Sequence, residues 1–152
     1  MKHTTFNQAF IKMFMLITLC FTVFGFTTKF GLDTYEIYLN NKLILKQSVN
    51  QPLSLRVLQL GKANDNDQLR INYKHCNVKG AGTKRSIAIK DEKGNILKKF
   101  EFADATGSDL NMVISVKELL QLEKNNAYHE LSLHYTAQEL PKGEMLASLR
   151  FK

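Results

Sequence analysis

The sequence predicts an all-β protein: an antiparallel β-sandwich, immunoglobulin-like or jelly-roll-like, with one short helix near residues 116–124. Two observations carry this prediction. Short segments with apolar residues at every second position recur about every ten residues, and polar turns separate them, which is typical of sandwiches and barrels. Long helical segments do not alternate with these strands, which disfavours a parallel α/β sheet.

The clearest pair of strands lies in the segment Arg85–Phe102. Ile87 and Ile89 alternate with polar or small residues in its first half, and Phe100 and Phe102 share one face in its second half. The charged connection between the halves contains a glycine, which can take the positive φ of a tight turn. An isolated hairpin is only marginally stable in water, so these side chains require a second layer to cover them.

Seven further segments show β-type alternation of apolar and polar residues. In chain order they are Asp33–Asn40, Lys42–Gln47, Leu53–Leu60, Leu69–His75, Leu110–Ser115, Tyr128–Thr136 and Glu144–Phe151.

The connections between these segments have their own signals. Asn40 and Asn41 predict a tight hairpin turn, because asparagine tolerates the left-handed conformation. The apolar phase shifts by one residue within Leu53–Leu60, which predicts a β-bulge or a bend where the strand changes sheets. Pro141–Gly143 predicts the turn before the last strand.

The helix prediction rests on a change of period after Ser115. Ser115 and Glu118 have the spacing of a capping box, and Leu119 and Leu120 follow at helical spacing. We therefore expect a helix over Val116–Lys124, ended by a pair of asparagines.

Residues 1–25 predict a secretory signal peptide. Met13–Phe24 is an uncharged apolar run that follows Lys2 and Lys12. It is shorter than the roughly 20 residues that a membrane-spanning helix needs. An uncleaved membrane anchor is the alternative. We expect residues 26–152 to form a single domain that does not span a membrane and is secreted or lies in the periplasm or cell envelope.

Cysteine content adds a constraint on how this domain is held together. Cys20 lies inside the predicted leader, which leaves Cys76 as the only cysteine of the mature chain. One cysteine cannot form an internal disulfide, so packing must hold the fold even in an oxidising compartment.

Three stretches together resemble a family of small secreted bacterial proteins of unassigned activity. They are Leu32–Gln47 (LDTYEIYLNNKLILKQ), Arg85–Asn95 (RSIAIKDEKGN) and Pro141–Leu149 (PKGEMLASL). The resemblance implies secretion and a single domain. It carries no catalytic motif to this chain.

His75 and Cys76 form the one constellation with reactive chemistry. They lie at the end of a strand, before a glycine-containing loop, and Lys84 and Arg85 follow across that loop. A nearby cation lowers the pKa of a thiol and makes it more nucleophilic. The alternative is that Cys76 is a half-buried small apolar residue at a strand end.

A soft-metal site at His75 and Cys76 is a second hypothesis, and Cu(I) or zinc would suit these ligands. Neighbouring residues of an extended strand face opposite ways, however, and the spacings match no usual ligand pattern. The further ligands would have to come from His129 or His134 and from Met112 or Met145.

The third hypothesis is a basic face for an anionic partner. The formal net charge is +7, too small and too interspersed with acids to predict nucleic-acid binding. If the central strands are neighbours, one sheet face is positive and can meet an anionic glycan, a lipid surface or an envelope protein. The alternative is a lysine-rich surface that only protects sheet edges from aggregation. The cations concerned are Arg70, Lys74, Lys84, Arg85, Lys90 and Lys99.

These patterns favour a binding or structural module of unknown ligand over an enzyme. No cofactor is expected, and a metal- or redox-linked protein using His75 and Cys76 is the alternative.

Overall fold

The computed structural model describes residues 31–76, 82–105, 111–127 and 129–151. These residues belong to one compact unit, Gly31–Lys152. The predicted signal peptide, its cleavage site and Cys20 lie outside the described residues, as do Leu110 and Tyr128 at two predicted strand ends.

Nine strands in the described residues form two sheets, which confirms the predicted all-β sandwich. They are β1 (Thr34–Leu39), β2 (Lys42–Ser48), β3 (Val57–Gln59), β4 (Gln68–Lys74), β5 (Ser86–Lys90), β6 (Ile96–Glu101), β7 (Asn111–Ser115), β8 (Leu131–Ala137) and β9 (Leu140–Arg150). The four-stranded sheet has the order β2-β1-β4-β7, and the five-stranded sheet has the order β3-β9-β8-β5-β6. Neighbouring strands are antiparallel except β3 and β9, which are parallel.

The core lies between the sheets and is built by the predicted alternation. Leu69, Ile71 and Tyr73 of β4 are buried, and the residues between them point outward. Met112 and Ile114 of β7 lie beside them, because Leu69 pairs with Ile114 and Ile71 with Met112. These strands of the four-stranded sheet therefore have an inner and an outer face, whereas Ser86–Ile89 of β5 is buried on both faces.

The predicted strand Leu53–Leu60 is wrong in its first half. Leu53–Leu55 forms a 3-10 turn with both leucines exposed, and only β3 follows as a strand. The break lies at Arg56, which is only 2% exposed and whose side chain binds backbone carbonyls. The phase shift in the sequence thus marks a buried arginine between a turn and a strand.

The predicted turn at Pro141–Gly143 is also wrong, because these residues lie inside β9. The chain reverses earlier, between Ala137 and Leu140, which pair with each other. Gly143 has φ +73° and lies where the register of β8 and β9 shifts, so its conformational freedom serves a β-bulge.

In the part of the chain that the structure describes, one α-helix, α1, spans Val116–Asn125 and confirms the predicted helix to within one residue. Ser115 occupies the N-cap position, but among the described residues its side chain makes no capping hydrogen bond, so the capping-box prediction is wrong in that respect. The backbone N–H of Val116 instead donates to the carbonyl of Asp67.

Candidate functional site

The polar cluster at one end of the sandwich is organised by the register of β1 and β4. Thr34 pairs with Lys74, so Asp33 lies beside the residues that follow β4, His75 and Cys76. Tyr135, from the inner face of β8, approaches from the other sheet. The cluster therefore joins the two layers of the sandwich.

Hydrogen bonds occupy both ring nitrogens of His75. Nδ1 lies 3.1 Å from Asp33 Oδ2, and Nε2 lies 3.0 Å from the hydroxyl of Tyr135. Because a carboxylate oxygen only accepts, Nδ1–H donates to Asp33, and Nε2 shares a hydrogen bond with the Tyr135 hydroxyl. His75 is only 5% exposed, so its imidazole lies in the protein interior and has little contact with solvent.

Asp33 is the hub of the cluster. Its Oδ2 also accepts from the hydroxyl of Tyr73 at 3.0 Å, and its Oδ1 accepts from the backbone N–H of Cys76 at 2.8 Å. A carboxylate that accepts three hydrogen bonds holds all three donors in place, here two side chains and one backbone N–H. Asp33 thus fixes the position at which the chain leaves β4.

Stacked tyrosine rings complete the contact between the sheets. The rings of Tyr73 and Tyr135 are 4.1 Å apart between centroids, with an interplanar angle of 19°. Burial raises the pKa of both phenols, with the charge of Asp33 a further cause at Tyr73. Both hydroxyls therefore stay protonated at neutral pH, and the Tyr73 hydroxyl donates to Asp33.

The segment before β5 packs over this cluster. A β-carbon built at Gly82 would lie 2.7 Å from the Tyr135 hydroxyl, so only glycine fits there. Thr83 binds the carboxylate of Glu139 through both its backbone N–H and its hydroxyl. Burial alone would raise the pKa of Glu139, but these hydrogen bonds outweigh it and the pKa is lowered.

The structure places the Cys76 side chain at the protein surface. The interpretation as a half-buried strand-end residue is wrong, because the residue is exposed. One side of the thiol packs on the backbone of Gly31, where a β-carbon would overlap Sγ. Of the predicted cationic neighbours, Arg85 donates from Nε to the Ala103 carbonyl, and the Lys84 backbone N–H donates to the carboxylate of Asp104.

The other predicted metal ligands are dispersed. His129 Nδ1 lies 2.7 Å from a carboxylate oxygen of Glu92, and His134 Nε2 lies 3.0 Å from the hydroxyl of Ser132. Met112 is buried in the core. Within the described ranges, no three histidine, cysteine, aspartate or glutamate side chains come close enough to hold a metal ion.

The predicted basic face divides between the two sheets. Arg70 and Lys74 belong to β4, whereas the other four cations belong to or precede β5 and β6. β4 is not a neighbour of either strand, so the condition for one continuous sheet face is not met. Lys90 pairs with Ile96 near the hairpin connection, away from the remaining three.

Those three cations line one groove beside the β5–β6 edge, with a volume of about 340 Å³. Lys84 is exposed and Arg85 is buried, while Lys99 pairs with Glu101 at 3.0 Å. The lining residues are Lys84, Arg85, Ser86, Lys99, Glu101 and Phe102.

The fold and this end of the molecule define a β-sandwich whose sheets are joined by a partly buried Asp-His-Tyr network. None of the comparisons with family models, curated proteins and solved structures finds a match. The resemblance to small secreted bacterial proteins therefore stays a prediction. No helix among the described residues is long and apolar enough to cross a membrane.

Proposed function

We propose that this chain is a secreted or periplasmic binding or structural module and not an enzyme. A general base or nucleophile needs an atom that can meet a substrate. The His75 imidazole is the strongest candidate for a base. Both of its ring nitrogens are hydrogen-bonded, one to Asp33 and the other to Tyr135. The cluster is thus better suited to holding the sheets together than to chemistry.

The observation that carries the binding proposal is the groove beside the β5–β6 edge. Three cations and one carboxylate line it, so its net charge is positive. A cationic concavity attracts anionic groups and orients them by charge-assisted hydrogen bonds. The partner that fits is a molecule bearing carboxylate, phosphate or sulfate groups, such as an anionic glycan of the cell envelope.

A matched pair of charge variants tests this proposal. Binding of dextran sulfate to the purified protein is measured by calorimetry at low and high salt. We expect Lys84→Gln/Lys99→Gln to weaken binding about tenfold, and the wild-type affinity to fall steeply with salt. The control, Lys62→Gln/Lys124→Gln, removes two exposed charges elsewhere.

Two results would count against the anionic partner. Equal weakening by both double variants would mean that only net charge matters, and binding that ignores salt would exclude an electrostatic groove. A specific turnover that Cys76→Ala abolishes would overturn the proposal that the chain is not an enzyme.

A metal- or redox-linked protein is the alternative, and the exposure of Cys76 favours it. A metal bound to this thiol and to His75 must displace Tyr135 or Asp33 from the imidazole. We therefore expect zinc, titrated into the purified protein, to bind no tighter than to the Cys76→Ser variant. Stoichiometric binding that this variant loses would move the alternative to first place.

A further inference from the structure

Three leucines are exposed at the end of the sandwich that carries the Asp33 cluster. Leu32, Leu53 and Leu55 are 47%, 54% and 56% exposed, and we call them the leucine tip. Every residue from 50 to 55 is exposed, so this connection projects from the sheets. Single exposed leucines are common on protein surfaces, but apolar side chains grouped on a projecting segment indicate a contact with another surface.

Hydrogen bonds place the three leucines in one patch. The carbonyl of Asp33, the residue after Leu32, accepts from the N–H of Val49 at 3.1 Å, where the connection begins. The side chain of Gln47 donates to the carbonyl of Leu55 at 3.4 Å, so the far end of the connection returns to β2.

The connection is held in a fixed shape. The N–H of Leu55 donates to the Pro52 carbonyl at 3.1 Å within the 3-10 turn. At its base, the Arg56 guanidinium donates to the Gln51 carbonyl, and the Gln51 N–H donates to the Ser48 carbonyl at 3.0 Å. The leucines are therefore oriented before any partner arrives, which lowers the conformational entropy lost on binding.

The composition of the connection fits a lipid surface. Residues 47–55 contain no charged side chain, whereas the connections after β3 and β5 contain several. Charged side chains are costly to place in a bilayer, and leucine is favoured there. A segment that enters the boundary between headgroups and acyl chains therefore has this composition.

Two lysines flank the tip. Lys74 is exposed and pairs with Thr34, which also pairs with Ser48 at the end of β2. Lys142 is exposed on β9, two residues before Glu144, the carboxylate bound by the arginine at the base of the connection. Lysines beside inserted apolar side chains attract anionic headgroups.

The size of the tip favours lipid over a protein partner. A standard protein interface buries about 800 Å² on each partner. Three leucines that are each about half exposed offer much less area. A few apolar side chains with adjacent lysines are sufficient for an anionic membrane surface.

We infer that the leucine tip inserts into an anionic lipid surface. The three leucines enter the boundary between headgroups and acyl chains, while Lys74 and Lys142 contact the headgroups. These residues are separate from those that line the cationic groove.

The chain contains no tryptophan, so a single tryptophan can report on the tip. Leu53→Trp is mixed with vesicles of phosphatidylglycerol and phosphatidylcholine, with and without brominated acyl chains. We expect its emission to shift to shorter wavelength and to be quenched by the brominated chains. Ile96→Trp, a similarly exposed position at the opposite end of the sandwich, is the control and should show neither change. Because each reporter senses its own surroundings, binding through the predicted leader does not produce this difference.

Further changes in the Leu53→Trp background separate the two contributions. Leu55→Ser should weaken the affinity read from quenching about tenfold, because one leucine no longer inserts. Lys74→Gln/Lys142→Gln should weaken it about thirtyfold. Circular dichroism checks that every variant folds.

The matched control, Lys93→Gln/Lys124→Gln, removes two exposed lysines elsewhere and should leave the affinity nearly unchanged. Equal weakening by both lysine pairs would contradict the placement of the headgroups. Emission from Leu53→Trp that stays water-like on anionic vesicles would overturn the inference, and so would equal quenching on neutral phosphatidylcholine. A shift that grows with protein concentration in the absence of vesicles would assign the tip to a second copy of the chain instead.

Discussion

Replacement of the buried arginine is the most demanding test of how this sandwich is held together. Arg56 donates from Nε and Nη2 to the Gln51 carbonyl and from Nη2 to the Val49 carbonyl. Its Nη1 donates to the Met145 carbonyl and to the carboxylate of Glu144. One side chain therefore ties the segment after β2 to strand β9.

Arg56→Met keeps an unbranched apolar stem but removes the guanidinium and with it every donor. The loss leaves three carbonyls and a carboxylate without this partner, although water can reach the exposed Gln51. Breaking one side of a buried ion pair costs about 3–5 kcal/mol, and we expect a loss in this range. That is a large part of the roughly 5–15 kcal/mol that stabilises a typical domain.

Urea unfolding followed by circular dichroism measures this loss. Arg56→Lys keeps the charge but cannot span the same acceptors, so it should recover only part of the stability. Arg150→Met, an exposed arginine of β9, is the control and should change the free energy of unfolding by less than about 0.5 kcal/mol. An Arg56→Met loss below about 1 kcal/mol would refute the reasoning.

Three further predictions concern the polar groups. Tyr135→Phe keeps the ring stack but leaves His75 Nε2 unpaired, so we expect urea unfolding to show a loss of about 1–3 kcal/mol. Burial, with the charge of Lys90 as a second cause, lowers the pKa of His134 from 6.5 to about 4. As pH falls, His134 is protonated in the unfolded chain before it is protonated in the folded protein. The contribution of neutral His134 to the free energy of unfolding is therefore complete above pH 6.5 and is lost progressively towards pH 4. Replacement by glutamine should flatten that part of the urea-midpoint profile. Exposed Cys76 should react with a thiol reagent in the native protein without denaturant.

Each of these has a result that contradicts it. A Tyr135→Phe variant as stable as wild type would show that His75 finds another partner. If NMR shows that the His134 imidazole of the folded protein titrates near pH 6.5, its pKa is not lowered, and the predicted acid-sensitive slope has no cause. Labelling of Cys76 that begins only on unfolding would mean that the thiol is inaccessible.

The local patterns predicted the strands where one face is buried. Leu69, Ile71 and Tyr73 alternate in the sequence and point inward in the structure. Asn40 takes the positive φ of 53° at the hairpin turn that its side chain suggested. Such features depend on a few neighbouring residues, so a short window of sequence contains their cause.

The connections predicted wrongly depend on distant partners. Leu53–Leu60 alternates like a strand, but carbonyls and a carboxylate elsewhere in the chain bind Arg56 and interrupt it. Pro141–Gly143 has turn composition, yet the pairing of β8 with β9 turns the chain earlier. In both places long-range contacts outweigh the local preference.

The candidate site shows the same division. The sequence pointed to His75 and Cys76 as chemically interesting, but their partners Asp33 and Tyr135 lie 42 and 60 residues away from His75. A strand-end aspartate and an alternating tyrosine carry no local signal of such a contact. The buried His75 and the exposed Cys76 thus acquire opposite roles only when the sheets pack.

Sequence alone determined the class of fold, the inward faces of the main strands and the excess of cations, because these follow from period and composition. Tertiary structure decided which strands became neighbours, and hence that the cations divide between two sheets. It also brought the amide side chains of the β1–β2 turn, β4 and β7 together at one cleft. The physical reason is that sheet order is set by packing between distant segments, which no single stretch of sequence encodes.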